Sequence, residues 1–220
     1  MSEIKACLFD LDGVLVDTAK YHYIAWRELA EELGFQFTEQ DNERLKGVSR
    51  AASLNILLEI GGIELPEAEK ARLAEQKNNR YVEYIAKMDS SEILPGALDF
   101  LKECRSRGIK VALGSASKNA MTILNNTGLT PYFDAIIDGT HTSAAKPDPE
   151  VFLLGAQALS AEPAHCVVFE DAEAGILAAT RAGMRSVGIG SPETLSGANI
   201  VVPSLAGITV SRLQESFASV

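Results

Sequence analysis

Two aspartates stand two residues apart near the start of the chain, in Phe9-Asp10-Leu11-Asp12-Gly13. A second acidic pair, Glu170-Asp171, follows the apolar run Cys166 to Phe169. Carboxylates this close repel one another unless a cation or a shared proton compensates. Asp10 therefore reads as an aspartyl nucleophile and metal ligand, and Asp12 as a general acid/base. A hard cation such as Mg²⁺ takes oxygen donors. Asp10, Glu170, Asp171 and the carbonyl of Asp12 would provide them. A surface turn with a capping aspartate would use the same first pair, and Asp171 is also placed to cap a helix.

Cations and hydroxyls elsewhere in the chain fit the same chemistry. Ser115 follows the apolar run Val111 to Gly114 and opens Ser115-Ala116-Ser117-Lys118-Asn119. Its hydroxyl can meet a phosphate oxygen beside a helix start, or act as an ordinary N-cap. Lys146 lies between Ala145 and Pro147, with Pro149 beyond. Prolines restrict that loop, so its ammonium can be held over a carboxylate and a phosphoryl group, or simply be a solvated loop lysine. Thr18, His22 and Trp26 recur every four residues and share one helix face. Arg50 offers a planar fork for a second, non-reacting phosphate, with Ser53 a turn further on. Lys77 either completes that face or makes a surface salt bridge.

These residues need elements to position them. Strand candidates are 4–9, 110–114, 134–138, 165–169 and 185–189, with a weaker one at 200–202. Helical stretches separate most of them, the pattern of a doubly wound, mostly parallel α/β sheet. Open α/β sheets bind ligands outside the carboxyl ends of their strands, where the acids stand. The first two strands lie roughly a hundred residues apart, far beyond an ordinary crossover. Helix candidates at 18–34, 39–46, 50–60 and 67–87 fill the gap, and a further helix at 97–107 returns to the sheet. The expected organisation is a Rossmann-like core, residues 1–15 and 90–220, with an inserted small all-helical cap, residues 16–89. Its hinges fall near Val14–Asp17 and Asp89–Pro95.

Composition narrows the class. Of 220 residues, 46% are hydrophobic and 23% charged, as in ordinary globular proteins. A net charge of -10 argues against nucleic-acid binding. It also means that phosphate recognition must rest on a few placed cations. Cys7, Cys104 and Cys166 have no metal spacing, and free buried thiols are expected. No signal-peptide pattern or membrane-length apolar run is present. The expectation is a cytoplasmic monomer, with neither membrane nor nucleic acid as partner.

Taken together, Asp10-Leu11-Asp12-Gly13-Val14, Ser115, Lys146 and Glu170-Asp171 resemble, in order, the motifs of the haloacid dehalogenase superfamily. The insert is similar to the helical cap of its beta-phosphoglucomutase group, through Asp17-Thr18-Ala19, His22, Trp26, Leu45 to Arg50, and Lys77-Asn78. The resemblance implies a mutase interconverting beta-glucose 1-phosphate and glucose 6-phosphate, with Mg²⁺ and glucose 1,6-bisphosphate. A Mg-dependent phosphatase of small sugar phosphates is the rival. It further implies that Asp10 carries the phosphoryl group and that Asp12 moves the proton, with Glu170 and Asp171 completing the Mg²⁺ site. Thr18, His22 and Lys77 would place Asp12 or the substrate, and Lys146 would neutralise charge. Lys46, Gly47, Val48, Ser49 and Arg50 would be cap contacts, Arg50 on the distal phosphate. Ser115, Ala116, Ser117, Lys118 and Asn119 would bind the transferring phosphate or line the sugar pocket.

Overall fold

Ala6, Cys7, Leu8 and Phe9 are all buried, as a strand covered on both faces requires. They form β1 at the centre of the computed structural model, which describes residues 3–45 and 48–218. Lys110–Gly114 is β2, Ala135–Ile137 β3, Cys166–Glu170 β4, Arg185–Ile189 β5 and Ile200–Val202 β6. These strands form one sheet in the order β3-β2-β1-β4-β5-β6. Every pairing is parallel, Phe9 facing Leu113 on one side and Phe169 on the other. The chain moves outward from β1 in one direction and, after β4, in the other. The crevice between β1 and β4 is therefore the switch point at which such sheets bind ligands.

Alternation sends Cys7 and Phe9 to one face and Ala6 and Leu8 to the other. The first face packs on α5 (Ala97–Ser106), α6 (Ala120–Thr127) and α9 (Val210–Ala218). The second packs on α7 (Glu150–Ala158) and α8 (Glu173–Arg181). Phe9 and Phe169 stack at 4.5 Å, and Phe100 tilts onto Phe169 at 5.1 Å. Burial of each such ring contributes about 1.5–3 kcal/mol. The rings immediately precede Asp10 and Glu170, so core packing fixes where both carboxylates leave the sheet.

Between β1 and β2 the chain runs through α1 (Ala19–Glu32), α2 (Glu39–Glu43), α3 (Arg50–Gly61) and α4 (Glu67–Ile85). Local signals set their ends. Thr38 and Asp41 form a capping box on α2. Ser49 Oγ caps α3 by accepting from the Ala52 N–H, and Gly62 closes it in the left-handed conformation. Trp26, Leu29, Leu54, Leu57 and Leu73 give these helices an apolar cluster of their own. Tyr81, Ile85 and Met88 belong instead to the main core, as do Leu15 and Val16. The entering and leaving segments lie side by side: the Asp17 N–H donates to Glu92 O at 2.9 Å, and the Leu94 N–H to Leu15 O at 2.9 Å.

The sequence-based bounds need correction at several ends. The second helix stops at Glu43, before the expected 46, and α1 begins at Ala19. Ser115 is not a helix cap, since α6 starts at Ala120 after Asn119. Asp171 is not one either, since Ala172 precedes α8. The three cysteines are free and buried, as expected. Among the described residues no helix is long and apolar enough to cross a membrane.

Candidate active site

The end of β1 continues into Asp10, whose N–H donates to Phe169 O at 2.9 Å. Its carboxylate accepts from Lys146 Nζ at 2.5 Å, and the same ammonium reaches Glu170 Oε2 at 2.8 Å. The Lys146 side chain is only 2% exposed and lies 4.9 Å from the centre of the Phe152 ring. Burial opposes its charge, but Asp10 and Glu170 outweigh burial and hold the lysine protonated. The loop carrying it is tied down by Glu150, which accepts from the Ser143 and Ala144 N–H groups at 2.9 and 2.7 Å. Arg181 Nη1 donates to Pro147 O at 2.9 Å.

One carboxylate oxygen from each of Asp10, Glu170 and Asp171 lies within 4.8 Å of the others. Burial pushes the Glu170 carboxyl well above its usual range, and Asp10 and Asp171 add to this against the pull of Lys146. The cluster is short of positive charge, and an all-oxygen donor set of this kind suits a hard divalent cation. Two glycines leave it room. A Cβ on Gly13 (φ +79°) would stand 2.2 Å from Asp171 Oδ2, and one on Gly175 2.0 Å from Glu170 Cδ. The residues present fit Mg²⁺.

The Asp12 carboxylate is not part of this cluster. Thr18 Oγ1 donates to its Oδ1, and for that reason Thr18 precedes α1 without a side-chain capping bond. Burial and then Asp10 push the Asp12 carboxyl up to about 6, opposed by the Thr18 hydrogen bond. A carboxyl there can exchange a proton near neutral pH.

The helical insert supplies the opposite wall. His22 stacks on Tyr81 with centroids 4.0 Å apart, and Lys77 Nζ lies 2.7 Å from His22 Nδ1. The ammonium also sits 4.6 Å from the Trp26 ring centre and 4.9 Å from that of Tyr81. Lys77 is 3% exposed, so it is no surface salt bridge. Burial, then Arg50, lowers it to about 7. Burial, then Lys77, lowers His22 well below its usual value. A neutral His22 thus shares one hydrogen bond with Lys77 through Nδ1. Arg50 opens α3 with its side chain 33% exposed and 4.0 Å from Glu75.

A cavity of about 560 Å³ joins these walls. It is lined by Asp10, Asp12, Lys146, Glu170 and Asp171, and by Ser115, Ala116, Ser117, Lys118 and Asn119. From the insert come His22, Trp26, Val48, Ser49, Arg50, Ser53 and Lys77. Thr18 stands behind the wall, acting through Asp12. Lys46 and Gly47 lie outside the described residues.

A haloacid dehalogenase-like hydrolase family model matches residues 4–183. The chain belongs to that family. It groups there with the beta-phosphoglucomutases. Beta-phosphoglucomutase from Bacillus subtilis is 42% identical over 97% of this chain and 96% of its own length. The crystal structure of beta-phosphoglucomutase from Clostridium difficile superposes with a TM-score of 0.92 at 45% identity, over 98% of each chain. Fructose-1-phosphate phosphatase from Escherichia coli is also similar, 37% identical over 83% of this chain and 94% of its own. The family thus includes relatives named for transfer and for hydrolysis.

Sequence reasoning gave no role to three elements of this haloacid dehalogenase-like site. Tyr81 lies one helical turn from Lys77, the same spacing that exposed the Thr18, His22 and Trp26 face. Asn78 lines the cavity beside Lys77. Thr142 to Ala145 also line it, and nothing in their residue types signals this.

Proposed function

We propose that this chain is a beta-phosphoglucomutase, interconverting beta-glucose 1-phosphate and glucose 6-phosphate. One observation carries the reading beyond the family: the cap brings Arg50 and Lys77 to the cavity that holds Asp10 and Lys146. A bisphosphate needs two anion sites, and this cavity has cations at both walls. Asp10, Glu170 and Asp171, with the Asp12 carbonyl, would hold Mg²⁺, which when bound spreads the charge of the transferring phosphoryl group.

In this reading phosphorylated Asp10 donates to the sugar 6-hydroxyl while Asp12 takes its proton. Glucose 1,6-bisphosphate then turns in the cavity. Asp10 takes the 1-phosphoryl group, Asp12 returns the proton to the departing 1-oxygen, and glucose 6-phosphate leaves. Lys146 and the Ser115 to Asn119 loop orient the transferring group, and Arg50 holds the other. Thr18, His22 and Lys77 place Asp12 and the sugar. Residues 16–89 act as a cap hinged at Val14–Asp17 and Asp89–Pro95, closing water out. The enzyme is a cytoplasmic monomer acting on small sugar phosphates. Its acidity supports the absence of a nucleic-acid partner.

The test supplies the protein with beta-glucose 1-phosphate, Mg²⁺ and trace glucose 1,6-bisphosphate, following glucose 6-phosphate and free phosphate separately. Glucose 6-phosphate should dominate, and mainly free phosphate would overturn the mutase. Asp10→Asn should abolish both products. Arg50→Ala should lower mutase flux about ten- to hundredfold, the weight of a charge-assisted contact, and spare monophosphate hydrolysis.

A further inference from the structure

Side-chain hydrogen bonds join the cap to the core at two levels among the described residues. Near the hinge, Thr18 bonds Asp12, Lys20 and Tyr21 both donate to Glu92 at 2.5 Å, and Asn126 Nδ2 donates to Ile85 O at 2.9 Å. On the wall of the cavity Asn119 Nδ2 donates to Asn78 Oδ1 at 3.2 Å. Asn78 lies seven residues before Ile85 on α4, about 10 Å up the helix at 1.5 Å per residue. A bond that far from the hinge must break when the cap rotates open. The hinge-side bonds can swivel with smaller displacement.

Both partners are built for this position. Asn119 is the N-cap of α6, where an asparagine side chain ordinarily accepts from the helix's own N–H groups. It makes no such bond and instead turns its amide across the seam. Its backbone N–H is held by Ser117 Oγ at 3.2 Å, and the Ser117 N–H by Ser115 Oγ at 3.1 Å. The loop beside Asp10 is thereby linked to the amide that meets the cap. On the other side Asn78 follows Lys77, so the same turn of α4 that reaches the core also carries the ammonium against His22.

We infer that Asn78 is a positioning residue: through Asn119 it latches the cap over phosphorylated Asp10 and sets the share of turnovers lost to water. The inference rests on the mutase reading, in which an open cap admits water to the aspartyl phosphate. The latch acts on how long the site stays closed, so its signature is the partition between two products.

The experiment measures free phosphate released per glucose 6-phosphate formed from beta-glucose 1-phosphate, Mg²⁺ and trace glucose 1,6-bisphosphate. Asn78→Ala should raise that ratio roughly two- to tenfold, the population change carried by one hydrogen bond. Its melting temperature should stay near that of the unmodified protein. Asn78→Asp keeps the accepting oxygen and should keep the ratio close to the original. A merely structural role would lower both products together and leave the ratio unmoved. An unchanged ratio in Asn78→Ala overturns the latch, as does Asn78→Asp behaving like alanine. An unmodified protein that makes no glucose 6-phosphate refutes the mutase reading instead, independently of either variant.

Discussion

Replacing Lys146 by methionine removes the charge that joins Asp10 to Glu170 and keeps most of the stem that packs on Phe152. The lysine side chain and that of Glu170 are each 2% exposed, and that of Asp10 10%. Removing one partner of so buried an ion pair costs about 3–5 kcal/mol, because the remaining charges have neither water nor a counter-ion. In a chain of this size that lowers the melting temperature by roughly 6–20 °C without Mg²⁺. The sign of the metal effect is also determined. Lys146 and a divalent cation compensate the same carboxylates, so each weakens the need for the other, and this coupling is reciprocal. Lys146→Met should therefore bind Mg²⁺ more tightly than the unmodified protein. At one Mg²⁺ concentration above both Kd values its melting temperature should rise further than that of the unmodified protein, with about 1.4 kcal/mol of extra stabilisation for each tenfold gain in affinity. Turnover should not recover, since the ammonium beside the reacting oxygens is gone, and a fall of about 10²- to 10³-fold in kcat is expected. Calorimetry with and without Mg²⁺, together with steady-state kinetics, measures all three. Equal Mg²⁺ shifts in the two proteins would refute the charge-balance argument. So would a metal-free melting temperature within about 2 °C of the original, since the charge loss should shift it several times as far.

Gly175→Ala pits helix propensity against the metal site. Alanine is the better helix former, by up to about 1 kcal/mol, and Gly175 lies in the first turn of α8, yet an alanine Cβ would lie 2.0 Å from Glu170 Cδ and displace that carboxylate. The variant should need at least about tenfold more Mg²⁺ for half-maximal activity, and an unshifted Mg²⁺ titration would remove the glycine's role. Lys77→Met addresses pH. The folded protein holds Lys77 at about 7 against an ordinary 10.5, so between these values the unfolded chain binds more protons and stability rises with pH. Below pH 7 the cost of burying the charge is fully present, and above about 10.5 it vanishes. Methionine should thus stabilise the protein most at pH 6 and least near pH 10, in melting curves taken across that range. The reverse trend would mean that the lysine is stabilised by its surroundings rather than strained.

Much of the site was legible because its chemistry stands at strand ends. Asp10 and Glu170 end apolar runs, so a parallel sheet brings them together once β1 and β4 are neighbours. The helix face of His22 and Trp26 followed from four-residue spacing. The same spacing on α4, Lys77 to Tyr81, was open to reading and was missed. Thr18, Ser115 and Asp171 show where local rules stop. Ser115 and Asp171 read locally as helix caps, yet α6 begins after Asn119 and α8 after Ala172, while Thr18 does precede α1 but sends its hydroxyl to Asp12 instead.

By itself the sequence determined the elements, their order and the residue types at each end, because backbone conformation and hydrophobic period are local properties. Only the tertiary structure decided that Lys146 meets Asp10 across 136 positions, that Lys77 is buried against His22 rather than solvated, and that Asn78 touches Asn119. Those outcomes set the charge state of each group and the closure of the site. They depend on which charges share a water-poor space, and that space exists only after the cap has packed against the sheet.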